Sequence, residues 1–259
     1  MKPIRVWMAP PGPNPWKVVF VLEELQVPFE IVSFKFDNIK KPPFIDLNPN
    51  GRVPAIEDPN TDIVLWESGA IINYILEQYD AKKTLSFDTV KEKHQVQQWL
   101  FFQCSGQGPY FGQAGWFNVL HPERIPSCMN RYNAEVHRIL SVLEGWLSGE
   151  SDIKNKGQPK KWLVGDKMTI ADMSFVPWND RIDATISCAP EDKFKGYPHV
   201  QAWHERMISL PSWKAAMEMR AAKMDEQGLM WNGMPKGMKS FQEYEAKIAA
   251  GEDTGPREN

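Results

Sequence analysis

Two short stretches carry residues placed to hold a small charged ligand. Glu67 and Ser68 stand where an apolar strand pattern, Ile63 to Trp66, gives way to a helical one with Ile71, Ile72, Tyr74 and Ile75 at helical spacing. Ser68 is placed to cap that helix, and the backbone N–H groups of a first turn form an anion site. Glu67 adds a fixed negative charge beside it. An acid next to an anion site suits a ligand that carries both a carboxylate and an ammonium group. Upstream lies Val53-Pro54, at the start of another expected strand through Ile56. Proline cannot donate to a sheet ladder, so Pro54 points to an edge or to a cis bond. A cis bond would turn the N–H and C=O of Val53 outward, where an extended peptide can pair with them. The stretch reads as a clamp for a small zwitterionic peptide.

The elements around this clamp follow from periodicity and breakers. Ile4, Val6 and Met8 alternate as strand one. APPGPNPWKV is a proline-rich ordered loop that leads into a helix with Val18, Val19, Leu22 and Leu25 on one face. Phe29, Ile31, Ser33 and Lys35 make strand two, and a short helical turn is expected around Pro42, Pro43 and Phe44. Turns at Asn48–Gly51 and Asp58–Asn60 set off the next two strands. This is the thioredoxin-like order, complete by about Tyr79. A polar linker, Asp80 to Asp88, follows. Beyond it only helices are expected: Val90–Phe102, an interruption at SGQGPY (105–110), a piece to Val119, then Asn130–Ser148, Ile170–Thr185, His199–Ser209 and Ser212–Met224. Thr169 and Asp172 form a capping box. The fold class is α/β plus all-α: residues 1–80 a thioredoxin-like ligand-binding domain, 89–224 an all-helical domain forming a substrate pocket, 225–259 an extended tail. Its last nine residues, GEDTGPREN, are expected to be disordered.

Bulk properties exclude several classes. The chain has 259 residues and a net charge of −3 with mixed signs, which points to neither nucleic acid nor a membrane surface as partner. Its apolar runs fall short of a membrane span, and no secretory leader opens it. Three cysteines, Cys104, Cys128 and Cys188, form no disulfide framework and no zinc pattern, and fit a reducing, cytoplasmic compartment. No metal site is expected.

NPNGRVPAI followed by WESGAI resembles the thioredoxin-like domain of cytosolic glutathione transferases. The resemblance implies that Val53 and a cis Pro54 bind the cysteinyl backbone of glutathione, and that Glu67 and Ser68 bind its γ-glutamyl end. With APPGPNPWKVVFVLEEL, WLFFQCSGQGPYFGQA and WLVGDKMTIADMSFVPWN, the match narrows to the fungal class related to the yeast nitrogen-catabolite regulator. It runs from about residue 4 to 220. The regulator's Asn/Gln-rich extension is not seen, so nitrogen regulation is not implied. Arg52 matches a basic residue beside the Val-Pro pair. The family's next polar contact falls on Ile39, a departure, and Lys41 or Lys40 is expected to take the glycine carboxylate instead.

Conjugation needs glutathione as thiolate, and a free thiol has a pKa of about 8.5. The loop before helix one holds no Tyr, Ser or Cys but does hold Asn14, whose amide can donate to the sulfur. An asparagine in a loop is otherwise an ordinary turn residue; the resemblance places an asparagine near the glutathione sulfur at this position. Backbone N–H groups of Trp16 or Lys17 lie beside it. The electrophile pocket is expected between the domains, from Phe101, Ser105, Gln107, Tyr110, Phe111 and Gln113, with Trp178 opposite and Trp16 from the first loop. The same aromatic stripe can also be read as helix core. Cys104 reads as a small buried residue.

The expected activity is glutathione conjugation to a small electrophile, extending to a reactive secondary-metabolite intermediate such as a cyclic dipeptide. Glutathione-dependent peroxidase action and a glutathione-binding regulator with little turnover remain alternatives, while Asn14, where a cysteine would favour thiol transfer, argues against a thiol transferase. The resemblance also implies a homodimer.

Overall fold

The computed structural model describes residues 1–230, 232–238, 243, 246 and 250. The expectation of disorder over the last nine residues lies outside them. The chain forms two compact units, residues 1–71 with 214 onward, and residues 72–213.

The first unit is built on a four-stranded sheet in the order β2-β1-β3-β4. Strand β1 (Ile4–Met8) runs parallel to β2 (Phe29–Ser33), from Ile4 against Phe29 to Met8 against Ser33. Strands β3 (Ala55–Asp58) and β4 (Ile63–Trp66) add on antiparallel, pairing Val6 with Ile56 and Ile56 with Leu65. In β1, Ile4, Val6 and Met8 are buried while Arg5 and Trp7 face the other side, the period of two that sequence alternation predicts. Arg5 and the Trp7 indole both donate to the Glu57 carboxylate across the strands. β3 begins one residue after Pro54 rather than at Val53, because the proline has no N–H for the ladder.

Helix α1 (Pro13–Glu24) starts with a proline whose fixed φ suits the first helical position. Eight consecutive residues, Pro15 to Leu22, are buried. The apolar run is therefore covered all round, rather than on one face as periodicity predicts. The expected helical turn near Phe44 is α2 (Phe44–Leu47), preceded by a 3-10 turn at Phe36–Asn38. Helix α3 spans Ser68–Tyr79. The last helix, α10 (Pro211–Glu226), belongs to this unit from Lys214 on. It faces the α1–β2 corner across a cleft lined by Leu22, Val27, Phe29, Met219 and Ala222, and just beyond it Gln227 donates to the Ser33 hydroxyl at 2.9 Å.

The second unit is helical. Helix α4 (Val90–Phe102) is capped by Thr89, which accepts from the Glu92 N–H. The predicted interruption is a π-helical turn at Gln103–Gln107, followed by α5 (Gly108–Gly115) and a second π turn at Trp116–Leu120. Helix α6 spans Pro126–Leu147. The single helix expected over Ile170–Thr185 is two: α7 (Ile170–Asn179) and α8 (Ile182–Ile186). Pro177 removes a helical N–H in the last turn of α7, and Arg181 leaves helical geometry at φ −116°, ψ 24°. Helix α9 is Pro198–Ile208. Trp99, Phe102, Trp146, Phe175 and Trp203 form an aromatic core with neighbouring centroids 5.7–6.3 Å apart.

The capping box is present and reaches further than two residues predict. Buried Asp172 accepts from Thr169 N–H and hydroxyl at α7, from Leu163 N–H in the preceding loop, and from the Trp203 indole of α9. Burial pushes its carboxyl up to about 6 against the pull of these donors. Among the described residues no helix is long and apolar enough to cross a membrane.

Candidate ligand site at the start of α1 and α3

The site in the first unit is assembled from three loop ends. The loop before α1 is braced by its own groups: Gly12 N–H donates to Ala9 O, and the Trp16 indole donates to Pro10 O at 2.9 Å. Trp16 is only 1% exposed. Its side chain thus serves the loop, and the expectation that it walls an open pocket is corrected. In the first turn of α1, Pro13 and Pro15 carry no N–H, so Asn14 is the residue there that brings both a backbone and a side-chain amide. Asn14 is half-buried.

The second loop end precedes β3. The Val53-Pro54 bond is cis, as is Pro42-Pro43. Val53 is half-buried, Pro54 buried and Arg52 exposed. The Asn48 side chain organises the turn, accepting from Asn50 N–H and donating to Arg52 O. Gly51 sits at φ +57°, and a Cβ there would fall 2.9 Å from the backbone carbonyl oxygen of Ile39, so glycine is required on both counts. Lys40 lies along this turn and donates to Asn50 O at 2.9 Å. Lys41, the lysine the sequence favours, turns instead to the Asn38 side chain at 3.2 Å. Of the two, Lys40 is brought against the Asn50–Gly51 turn.

The third loop end opens α3. Ile71 N–H donates to Glu67 O, so the cap position falls on Glu67 and Ser68 is the first helical residue, one step from expectation. Glu67 is exposed and held at φ +71°, left-handed geometry that a non-glycine residue adopts at a cost. Ser68 is 6% exposed, and its hydroxyl accepts from Lys17 Nζ at 3.4 Å. Lys17 is itself 2% exposed. Its side chain was missed by periodicity; the available signal was one charged residue inside an otherwise apolar run, PWKVVFVL.

The residues expected to line an electrophile pocket divide in the second unit. Phe101 is 66% exposed, and Ser105 is exposed with its hydroxyl donating back to Phe101 O. Tyr110 is half-buried under the Arg138 guanidinium, 5.9 Å from its ring centroid. Trp178 is half-buried and meets Phe111 edge-on at 6.3 Å. Phe111 and Gln107 are fully buried. Gln107 donates to the Asn179 side chain at 2.7 Å and accepts from Gln103, a buried amide chain that holds the π turn to α7. The expectation that Gln107 and Phe111 present side chains to a ligand is corrected to a packing role. Cys104, expected buried, is intermediate in exposure.

Comparison with known proteins fits this arrangement. The family model for the glutathione S-transferase N-terminal domain matches residues 2–77, and that for the C-terminal domain matches residues 109–211. The chain is 44% identical over 209 residues to the glutathione S-transferase-like protein gedE of Aspergillus terreus, covering 80% of this chain and 91% of that one. It is 41% identical to the glutathione transferase URE2P8 of Phanerochaete chrysosporium, crystallised with oxidised glutathione, at a TM-score of 0.78 over 87% of this chain and 98% of that one. Ure2p5 of the same fungus, cocrystallised with 1-(S-glutathionyl)-2,4-dinitrobenzene, is 40% identical at a TM-score of 0.76, over 87% and 98% of the two chains. With both domain models matched and relatives aligned over nearly their full length, the chain belongs to the glutathione S-transferase family, within its Ure2-like class.

Proposed function

We propose that the protein binds glutathione across the three loop ends of its first unit and transfers the thiolate to a small electrophile. The observation that carries this is the opening of α3. An exposed carboxylate, Glu67, is held in left-handed geometry directly before a helix N-terminus and a buried serine. That pairing presents a negative group and an anion site side by side, the complement of an α-amino acid end. Val53 pairs with the cysteinyl backbone, and Arg52 and Lys40 lie toward the glycine carboxylate. Asn14 donates to the sulfur and favours its thiolate. Catalysis then comes from register and from a raised thiolate population at neutral pH.

The electrophile is received by residues of the helical unit, with Phe101, Ser105, Tyr110 and Trp178 as its nearest candidates. A reactive secondary-metabolite intermediate, such as an unsaturated cyclic dipeptide, is a substrate of the right class. The active form is a homodimer acting in the cytoplasm.

Calorimetric titration with glutathione, on wild type and Glu67→Ala, tests the site. Binding in the micromolar to millimolar range by wild type, lost in the variant, is expected; no binding by wild type refutes the proposal. Conjugation is then assayed with 1-chloro-2,4-dinitrobenzene, and peroxide reduction in parallel. Peroxide turnover without conjugation would assign the peroxidase reaction instead.

A further inference from the structure

We propose that the hairpin following α10 positions Asn14: Gly233 closes on Pro11 and holds the loop that leads into the Asn14 amide. This rests on the glutathione reading above, in which that amide donates to the sulfur. The hairpin is set by its own residues. Gly228 N–H donates to Asp225 O at 2.9 Å and Leu229 N–H to Met224 O at 2.8 Å, with Gly228 at φ +66°. This is the left-handed helix ending that glycine favours, and it turns the chain back off α10. Lys236 N–H then donates to Gly228 O and Met230 N–H to Met234 O, while Leu229 bridges Pro235 antiparallel. Gly233 N–H donates to Met230 O, and the Asn232 side chain accepts from Met234 N–H, which closes the tip. The hairpin lies beyond residue 211, where the C-terminal family model ends.

A Cβ added to Gly233 would lie 3.1 Å from Pro11 Cβ, so the glycine backbone packs on the proline ring with no room for a side chain. Pro11 stands in a loop whose residues 10, 11, 13 and 15 are prolines without an N–H. A loop with so few donors takes its position largely from packing. Gly12 rests against Val53, where an added Cβ would lie 3.4 Å from Cγ2, and the Trp16 indole holds Pro10 O. Gly233 adds a contact from the other end of the chain. Asn14 follows Pro11 by three residues, in the first turn of α1. Displacing the Pro11 ring therefore moves the entry to α1 and the amide with it. The hairpin acts through Asn14, without touching the reacting sulfur.

The test compares Gly233→Ala with Gly237→Ala in the full chain. The two glycines have φ +93° and +87°, so alanine strains the backbone alike at both, but a Cβ at Gly237 meets nothing within 4 Å. Conjugation of 1-chloro-2,4-dinitrobenzene gives kcat and its pH profile, and calorimetry gives glutathione affinity. Gly233→Ala should lower kcat about five- to fiftyfold and move the acid limb of its pH profile upward, with affinity within about twofold of wild type. Gly237→Ala should stay within about twofold in kcat, with an unmoved profile. In an Asn14→Ala background, Gly233→Ala should cost less than about twofold, because the group it positions is gone. Equal losses in both backgrounds indicate a merely structural role and overturn the proposal. Should Gly233→Ala fail to fold, Gln227→Ala, which frees the base of the hairpin from Ser33, replaces it under the same criterion. Wild type that binds no glutathione would remove the glutathione reading and this proposal with it. Normal binding, with Gly233→Ala indistinguishable from Gly237→Ala, removes only the role of the hairpin.

Discussion

Replacing His204 should make the protein more resistant to acid while leaving it nearly unchanged at neutral pH. His204 lies in α9 with 2% of its surface exposed, and neither ring nitrogen has a hydrogen-bond partner. The ring packs on Phe194 at 5.0 Å; the Asp180 carboxylate is 3.9 Å from Nε2, and the Lys193 ammonium is close enough to oppose protonation. Burial, with a smaller push from Lys193, takes the imidazole from 6.5 down to about 3. The folded value is depressed, so the unfolded chain takes up the proton first as pH falls. Above about 6.5 the group has no effect; below it, stability falls by about 1.4 kcal/mol per pH unit until the folded ring titrates. Near pH 4 the loss is about 3 kcal/mol, a large share of a stability of about 5–15 kcal/mol. Asp172 works the other way. Its folded value of about 6 lies above the unfolded 3.8, so acidification between those values stabilises the fold, also by about 3 kcal/mol. In wild type the two nearly cancel over this range. His204→Leu removes one side of the balance and two unpaired ring nitrogens with it. Urea unfolding followed by tryptophan fluorescence, at several pH values between about 7 and 4, measures the gap between variant and wild type. The gap should be under about 1 kcal/mol at neutral pH and widen to about 3 kcal/mol near pH 4. Groups common to both chains drop out of that difference. A gap constant across the range would refute the assignment of a neutral, buried imidazole.

Asn14→Ala should lower kcat/KM for conjugation at neutral pH by at least about tenfold, with glutathione affinity within about threefold of wild type, as expected of a group that acts on the thiolate. Steady-state kinetics with calorimetry separates the two effects. Asp172→Ala should cost about 3–6 kcal/mol, since Leu163 N–H, Thr169 N–H and the Trp203 indole lose a buried acceptor; thermal unfolding reads this directly. Lys40→Ala should raise the KM for glutathione several-fold, while Lys41→Ala leaves it within about twofold, because Lys40 alone of the two contacts the Asn50 carbonyl beside Gly51.

Features set by neighbours in sequence were legible before any coordinates. The capping box at Thr169 and Asp172, the end of α4 at Phe102 and the alternation of β1 each follow from residues within one or two turns of each other. The family signature at Val53-Pro54 and Glu67-Ser68 lies within one continuous stretch, and so was readable too. What sequence did not show depends on packing across long separations. Lys17 meets Ser68 over 51 residues, and Gln107 meets Asn179 over 72. Gln107 looked available because amides on a glycine-rich kink are often exposed; a second amide arriving from α7 made it core. Lys41 and Lys40 are adjacent in sequence, and only the fold of the 36–52 loop distinguishes them.

The first unit is discontinuous in sequence: its final helix arrives after the whole of the second unit has been made. On the ribosome, residues 1–71 emerge with the Leu22, Val27 and Phe29 corner still uncovered, and the Met219 and Ala222 face reaches it only after the second unit has been made. The glutathione-binding half thus begins to emerge before the second unit and is complete only after it. Expressed alone, residues 1–80 would carry a permanently open apolar corner and should be prone to self-association. Adding back a peptide spanning 211–230 would be the economical remedy.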